Sequence, residues 1–240
     1  MNPRNPQENS GANQPADSRV FVVVRAYNEA PVIRDVVASL CNHFDHIVVV
    51  DDGSTDSTAA CLHGLKVTLI SHAVNLGGGA ALQTGITYAL SKGADWILTF
   101  DADGQHAIDD ALTLLKSLQS GNCDVVFGSR FLGSAINMPK TRALLLIVAR
   151  WFSNLTSGIR LTDTHNGLRG FNRKAASLLT IQQNDMAYAS EILHQLRQGN
   201  MTIREIPVTI KYTEYSRRKG QASSNAITIL IDLITGRLIR

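Results

Sequence analysis

Short apolar runs rich in β-branched residues alternate with stretches of helical spacing along the first half of the chain. Each run is long enough for one buried strand, and together they cover Val20–Val24, His46–Val50, Lys66–Ile70, Asp95–Phe100 and Asp124–Gly128. Between them apolar residues recur every three or four positions, as in Val32, Val36, Val37 and Leu40. Strands buried on both faces and joined by helices predict an α/β fold with a mostly parallel central sheet and helices on both faces. Right-handed crossovers place the loops after these strands along one edge, where ligands bind in open α/β sheets.

The pattern changes after Gly128, where the apolar runs become longer and less regular. The spacing predicts a helix over 142–157, a loop and short strand over 163–171, a helix over 186–198 and a strand over 203–212. Pro207 within the last run marks either a kink or a position at the edge of the sheet, because proline has no backbone N–H to donate.

The ends of the chain differ in composition from the segment between them. Residues 1–18 are rich in Asn, Pro, Gln and Ser and show no apolar periodicity, which predicts a disordered lead-in. Residues 19–222 carry the alternating pattern and form one predicted domain. Residues 223–240 have the spacing of an amphipathic helix.

Length, charge and cysteine content narrow the range of functions. A chain of 240 residues with 44% apolar and 18% charged positions suits one α/β domain with an ordinary core. The net charge of +3 is too small to indicate a nucleic-acid partner. Three widely spaced cysteines predict free thiols rather than a metal knuckle or a disulfide framework. The sequence has neither a membrane-spanning apolar stretch nor the apolar core of a signal peptide, and we therefore expect a cytoplasmic protein.

An acidic loop follows the fourth predicted strand and reads Asp101-Ala102-Asp103-Gly104-Gln105-His106. Two carboxylates two positions apart in an extended loop can converge on one divalent ion, and hard oxygen ligands favour Mg²⁺ or Mn²⁺. Asp101 and Asp103 are the predicted metal ligands, with Gln105 or His106 as a third candidate. The alternative is a solvated loop in which the two acids are there by chance.

Three other segments lie where the loops of the first strands are expected. The first contains Tyr27 and Glu29, and Tyr27 is suited to pack against a base or ribose. The second is Asp51-Asp52-Gly53-Ser54-Thr55-Asp56, in which Asp52 is placed to accept a hydrogen bond from a nucleobase, although a turn with a capped helix explains the same residues. The third, Asn75–Leu82, contains glycines that allow close approach of phosphate, or simply a tight turn.

In this order the four motifs resemble the family 2 glycosyltransferases, and most of all their dolichol-phosphate mannose synthase and polyprenyl-phosphate glycosyltransferase branch. The resemblance covers about 20–225 and implies the Rossmann-like glycosyltransferase A-type fold of nucleotide-diphospho-sugar transferases. It implies that Tyr27, Glu29, Asp52, Asp101 and Ala102 hold the nucleotide sugar, and that Asp103 has a catalytic role through the metal. The chain departs from the family pattern at two positions. Arg25 stands where the family usually has Pro or a small residue, and Gly78 where it often has Lys.

Basic residues in the second half are candidates for the acceptor site. Arg130, Arg142 and Arg218 suit a phosphate, since arginine pairs with phosphate oxygens in a bidentate manner. Solvated surface charge is the plain alternative for each, and the resemblance favours the phosphate most strongly for Arg130. Asp163 resembles an acid of the family and is a candidate base or orienting group, with a turn before Asn166-Gly167 as the alternative.

The resemblance implies an inverting transfer, in which an acceptor displaces the nucleoside diphosphate directly at the anomeric carbon. The expected acceptor is a polyprenyl phosphate. The alternatives are a sugar hydroxyl in polysaccharide or glycolipid synthesis, and a nucleotide-sugar binding module without turnover. The apolar spacing and terminal arginines of 226–240 suit contact with the inner membrane face, or packing on the domain or a second subunit.

Overall fold

The computed structural model describes residues 18–184 and 187–220 of the chain. The predicted N-terminal lead-in, apart from Ser18, and the predicted C-terminal helix lie outside the described residues. Both therefore stay predictions.

The strands of the described residues form one seven-stranded sheet in the order β3-β2-β1-β4-β6-β5-β7. They are β1 Val20–Ala26, β2 His46–Asp51, β3 Thr68–Ser71, β4 Trp96–Asp101, β5 Val125–Ile136, β6 Arg169–Asn172 and β7 Ile203–Lys211. β1, β2, β3 and β4 run parallel, as do β5 and β7, while β6 lies antiparallel between β4 and β5. The predicted mostly parallel α/β sheet is thus confirmed.

Helices lie on both faces of the sheet. They are α1 Ile33–Cys41, α2 Gly78–Ser91, α3 Ile108–Gln119, α4 Lys140–Ser157, α5 Arg173–Leu178, α6 Tyr188–Gln198 and α7 Glu214–Gly220, with a 3-10 turn at Ala60–Leu62. Alternate residues of β1 enter two separate cores: Val22 and Val24 pack with α1 and α3, whereas Phe21 and Val23 pack with α2 and α6. This alternation explains why the strand is apolar throughout.

The second half differs from the predicted elements in its details. β5 does not end at Gly128 but continues to Ile136, so Arg130 lies within a strand rather than in a loop. The predicted strand over 163–171 is shorter and later, because 163–168 are folded around buried side chains and only Arg169–Asn172 pairs with neighbouring strands. Pro207 lies in β7 at the edge of the sheet, as predicted, beside a break in the register of β5.

None of the helices in 18–184 and 187–220 combines the length and apolar character needed to cross a membrane.

Candidate active site

The loops that follow β1, β2 and β4 meet at one edge of the sheet, as the strand order requires. Arg25 and Asp101 are direct register partners in the parallel pair β1 and β4. The Arg25 Nε lies 2.8 Å from Asp101 Oδ1, with about a quarter of each side chain exposed. The carboxyl ends of β1 and β4 therefore place an ion pair at the edge of the sheet.

The two acids of the loop after β4 have different environments. Burial opposes ionisation of Asp101, but the charges of Arg25 and His106 hold the pKa of its carboxyl below the usual value. Burial and the nearby Asp101 charge raise the pKa of Asp103. Because the two neighbouring carboxylates repel one another, a cation bound close to both would stabilise their ionised forms.

The Asp101 carboxylate is enclosed by backbone as well as by charge. His106 Nε2 lies 3.4 Å from Asp101 Oδ2, and the His106 side chain is nearly buried. A Cβ added at Gly167 would lie only 1.9 Å from the same oxygen. The glycine of the Asn166-Gly167 turn is thus required by the close approach of Asp101, which the turn pattern alone did not reveal.

Gln105 holds the acidic loop through its backbone. Its N–H donates to Asp103 Oδ1 at 3.0 Å, and its carbonyl accepts from Lys211 N in β7. Within 18–184 and 187–220 no group of three or more His, Cys, Asp or Glu side chains is arranged to hold a metal ion. Asp101 and Asp103 alone fit a divalent ion only if a ligand supplies further oxygens, which is the usual way in which Mg²⁺ binds through one or two carboxylates and substrate phosphates.

Asp52 is buried and binds the glycine segment. Its Oδ1 accepts from Leu76 N at 3.0 Å and lies 2.7 Å from His72 Nδ1, and its Oδ2 accepts from Gly77 N at 2.8 Å. Most of the hydrogen-bonding capacity of the carboxylate is therefore already used. Asp52 positions the segment that opens α2, and the predicted contact with a nucleobase remains a prediction.

The loop after β1 is tied to the loop after β2 through Asn28. The backbone of Asn28 has a positive φ of 53°, and its side-chain Oδ1 accepts from Thr55 N at 2.8 Å. In return Ser54 Oγ accepts from Asn28 N, and Thr58 Oγ1 accepts from Glu29 N. A 3-10 turn at Ala60–Leu62 without a side-chain cap follows these residues, in place of the capped helix that the sequence left open.

Glu29 connects the same loop to α7. Its carboxylate lies 2.6 Å from Lys219 Nζ and accepts from Tyr215 Oη at 2.9 Å. Burial raises the pKa of Glu29, against the opposing effect of Lys219. Lys219 also donates to the carbonyl oxygens of Tyr27 and Asn28, while the Tyr27 ring is 40% exposed and free to meet a ligand.

Arg218, the predicted phosphate ligand of this segment, is 83% exposed and lies 3.9 Å from Glu214 on its own helix. Its neighbour Lys219 is the residue that reaches the site. The contacts of Lys219 and Tyr215 with Glu29 were not predicted from the sequence. Nothing in the run Arg217-Arg218-Lys219 indicates which of the three side chains faces the domain.

Arg130 and Asp163 form a buried ion pair. Arg130 Nε lies 2.6 Å from Asp163 Oδ2, which also accepts from Arg130 N, and Arg130 Nη1 donates to Tyr212 Oη. Asp163 is only 1% exposed. This geometry favours an orienting role for Asp163 over the base role that the sequence left open, since an acceptor proton has no access to its carboxylate.

Arg130 and Arg169 contact the segment that carries His165: Arg130 Nη2 donates to the carbonyl oxygen of His165 at 3.2 Å, and Arg169 Nη2 donates to that of Thr164 at 3.3 Å. Burial and the charge of Arg169, with further contributions from Arg130 and Arg142, lower the pKa of His165 to about 4. Its Nδ1 lies 2.7 Å from Thr164 Oγ1. Within the described chain, His165 Nε2 and Arg142 Nε are buried and lack hydrogen-bond partners. The site thus combines several arginines with polar atoms that have no partner among the described residues.

A known family model matches most of the chain from β1 to the end of α5. The family is described as "Glycosyl transferase family 2", and the match covers residues 21–179. This chain belongs to glycosyltransferase family 2. The predicted membership is confirmed, and so is the enzyme class that follows from it.

The relatives cover nearly the whole chain. A UDP-N-acetylglucosamine–dolichyl-phosphate N-acetylglucosaminyltransferase of Methanococcus voltae is 35% identical over an alignment of 227 positions, which covers 85% of this chain and 90% of the relative. A polyprenol monophosphomannose synthase of Mycolicibacterium smegmatis is 28% identical over 220 residues, 86% of this chain and 82% of the relative. Both names fit the branch that the sequence motifs resemble.

Solved structures show the same fold. Glucosyl-3-phosphoglycerate synthase of Mycobacterium tuberculosis in complex with phosphoglyceric acid superposes with a TM-score of 0.68 at 19% identity, covering 91% of this chain and 80% of that one. Its complex with Mn²⁺ and uridine-diphosphate-glucose gives a TM-score of 0.67, covering 91% and 79%. The glycosyltransferase A-type fold is therefore confirmed.

Proposed function

We propose that this protein transfers a sugar from a nucleotide-diphosphate sugar to a polyprenyl phosphate with inversion at the anomeric carbon. The observation that carries the proposal is the group of arginines around His165, which includes a buried Arg142 Nε without a partner in the described residues. A phosphate monoester satisfies such a group, whereas a sugar hydroxyl brings no charge to balance it. The Methanococcus voltae and Mycolicibacterium smegmatis relatives are named for dolichyl and polyprenyl phosphate acceptors.

The donor is assigned to the edge of the sheet between β1 and β4. Tyr27 offers an exposed ring for the base, the loop of Glu29 and Asn28 is held rigid by α7, and Asp52 positions the glycine segment. A uridine nucleotide is the first candidate, because the Methanococcus voltae relative and the superposed synthase are both named with one.

Asp101 and Asp103 would hold a divalent ion, Mg²⁺ or Mn²⁺, together with the donor diphosphate. The ion supplies charge that stabilises the leaving diphosphate when it is bound. The superposed synthase is described in complex with Mn²⁺ and uridine-diphosphate-glucose, which supports a divalent ion as the cofactor here. His106 supports Asp101 from behind, and Gln105 contributes its backbone to the position of the loop.

In the transfer itself an acceptor phosphate oxygen forms a bond to the anomeric carbon as the bond from that carbon to the donor diphosphate breaks. The nucleoside diphosphate leaves with the electron pair. The acceptor phosphate is ionised near neutral pH and needs no base, which agrees with the buried, ion-paired state of Asp163. Arg142 is assigned to the acceptor phosphate. Arg130, whose guanidinium is held by Asp163, Tyr212 and the carbonyl oxygen of His165, adds positive charge to the same site.

A lipid acceptor requires contact with a bilayer, and α4 offers a surface for it. Large apolar side chains lie exposed along one stripe of this helix, with 41–66% exposure: Leu144, Ile147, Val148, Trp151 and Leu155. The first turn of the same helix carries Lys140 and Arg142. We assign the stripe to an anionic membrane surface, since an apolar face with basic residues at one end suits the boundary between headgroups and acyl chains. Arg142 links this surface to the phosphate site on one helix.

The assignment is tested by incubating the full chain with Mn²⁺, a panel of labelled UDP- and GDP-sugars, and polyprenyl phosphate in detergent. We expect one sugar to appear in the organic phase, and only when the lipid is present. Transfer to sugar acceptors alone would favour polysaccharide or glycolipid synthesis, and donor binding without turnover would indicate a binding module.

A further inference from the structure

Arg25 and Gly78, the two positions at which the chain departs from the family pattern, are neighbours in space. A Cβ built on Gly78 would lie 2.6 Å from Arg25 Nη1, and the next nearest atom, at 3.7 Å, also belongs to Arg25. The arginine side chain therefore occupies the space directly above the first residue of α2. Because Gly78 has no side chain, the guanidinium of Arg25, which extends from β1, fits into this space.

The surroundings of Arg25 place its charge at the donor site rather than in the core. Its Nε is bound to Asp101 Oδ1, its guanidinium lies 5.2 Å from the centre of the Tyr188 ring, and 26% of the side chain remains exposed. Of the five guanidinium donors, this geometry assigns one to a carboxylate. Nη1 lies beside Gly78, at the start of α2, so the guanidinium extends from the acidic loop towards the segment proposed to approach the donor diphosphate.

We propose that Arg25 is a donor-binding residue that exchanges partners. Asp101 holds the guanidinium in the donor-free protein, and the donor diphosphate takes it over on binding, which frees Asp101 for a divalent cation. The inference rests on the proposed function in that it takes a nucleoside diphosphate as the ligand. Its consequence is that cation and nucleotide bind cooperatively, because each removes one partner from an existing ion pair.

The exchange predicts opposite effects of one substitution on two ligands. In Arg25→Ala, Mn²⁺ alone should bind more tightly than in the natural chain, because no guanidinium competes for Asp101. UDP should bind more weakly at saturating Mn²⁺, on the order of tenfold, since a charge-assisted hydrogen bond to the diphosphate is lost. Arg25→Lys keeps the charge without the fork of donors, and should recover part of the UDP affinity.

Gly78 supplies an independent test in the same space. Gly78→Ala should weaken UDP binding in the natural background by displacing Arg25, and should have no further effect in Arg25→Ala. Gly78→Lys combined with Arg25→Ala returns a cation to the gap and should restore most of the UDP affinity. Arg19→Ala, which removes an exposed arginine just before β1 at the opposite end of the strand, is the matched control and should change neither ligand.

The measurements are calorimetry with UDP and electron paramagnetic resonance of Mn²⁺, both without acceptor, with circular dichroism as the check on folding. Opposite shifts for the two ligands in Arg25→Ala, together with non-additive behaviour of Gly78→Ala, support the exchange. Equal losses for both ligands, or no change in either, overturn it. If the natural chain binds neither UDP nor GDP, the proposed donor is wrong. If it binds UDP with an affinity that Arg25→Ala leaves unchanged, the exchange is wrong and the proposed donor is not affected.

Discussion

Asp103 is the residue of the acidic loop whose charge is least compensated by its neighbours. Among the described residues its carboxylate accepts a single hydrogen bond, from the backbone N–H of Gln105, whereas Asp101 is paired with Arg25. Replacing the carboxylate by an amide of the same shape should leave the fold intact and remove a predicted metal ligand. Turnover of Asp103→Asn should fall on the order of 100-fold or more.

Steady-state transfer rates at several Mn²⁺ concentrations test this expectation. Asp109→Asn is the control, because Asp109 is an exposed acid at the start of α3 and its side chain lies outside the loop. Full activity of Asp103→Asn, or of the natural chain in excess chelator, would show that the loop does not use a metal.

His165 should make the folded state sensitive to acid. Its pKa in the folded protein is lowered to about 4 by burial and by Arg169, while the unfolded chain binds the proton near pH 6.5. The unfolded state therefore holds more protons between these values, and stability falls as the pH drops from 7 towards 4. The loss assigned to this one residue is at most about 3 kcal/mol.

Urea unfolding at pH 7 and pH 5 measures the effect as a difference between variants. The stability of His165→Asn should fall less between the two pH values than that of the natural chain. His43→Asn, at an exposed position, should follow the natural chain. A parallel loss of stability in His165→Asn would show that the buried environment of His165 is absent in solution.

At the scale of elements, α7 holds the loop after β1 through the carboxylate of Glu29 and through the carbonyl oxygens of Tyr27 and Asn28. Lys219→Met removes the partner of Glu29 and both hydrogen bonds to the loop carbonyls. We expect a lower melting temperature, a loss of about 1 kcal/mol, and weaker UDP binding, since the pair is only partly exposed. Arg218→Met, in the largely exposed neighbour, should change neither measurement. Equal effects of the two substitutions would contradict the placement of α7.

The exposed apolar stripe on α4 predicts that this helix binds an anionic membrane surface. Leu144→Ser combined with Trp151→Ser should abolish flotation with vesicles that contain phosphatidylglycerol, while transfer to a detergent-soluble short-chain acceptor is kept. Leu178→Ser, at another exposed leucine, should float as the natural chain does. If the double variant floats normally, or if it instead dissociates a dimer of this protein, the stripe does not face a membrane.

The strands and the edge that carries the site were predictable because their signals are local. β1, β2 and β4 are apolar throughout, and the acids follow directly at their carboxyl ends, so the meeting of Glu29, Asp52 and Asp101 follows from parallel topology. The roles of the side chains were harder to predict. Asp52 is occupied by backbone amides 24 and 25 residues away, and only the fold brings them together.

The second half was less predictable for the same reason. β5 continues past Gly128 because it pairs with β7, almost 80 residues later in the chain, and no local pattern reports such a partner. The pairing of Arg25 with Asp101 is likewise a matter of register. The sequence shows Arg25 and Gly78 as two separate departures from the family pattern. Only the fold shows that the Arg25 side chain lies against Gly78.

At the scale of the whole molecule, the proposed donor site lies at one edge of the sheet, and a neighbouring group of arginines is the proposed phosphate site. The central claim is that the acceptor is a phosphate rather than a hydroxyl. It is tested most directly by presenting the full chain, Mn²⁺ and the active nucleotide sugar with either polyprenyl phosphate or the matching polyprenol. The account predicts an acid-labile glycosyl phosphate from the first lipid and no product from the second. Equal transfer to polyprenol, or an acid-stable product, would contradict it.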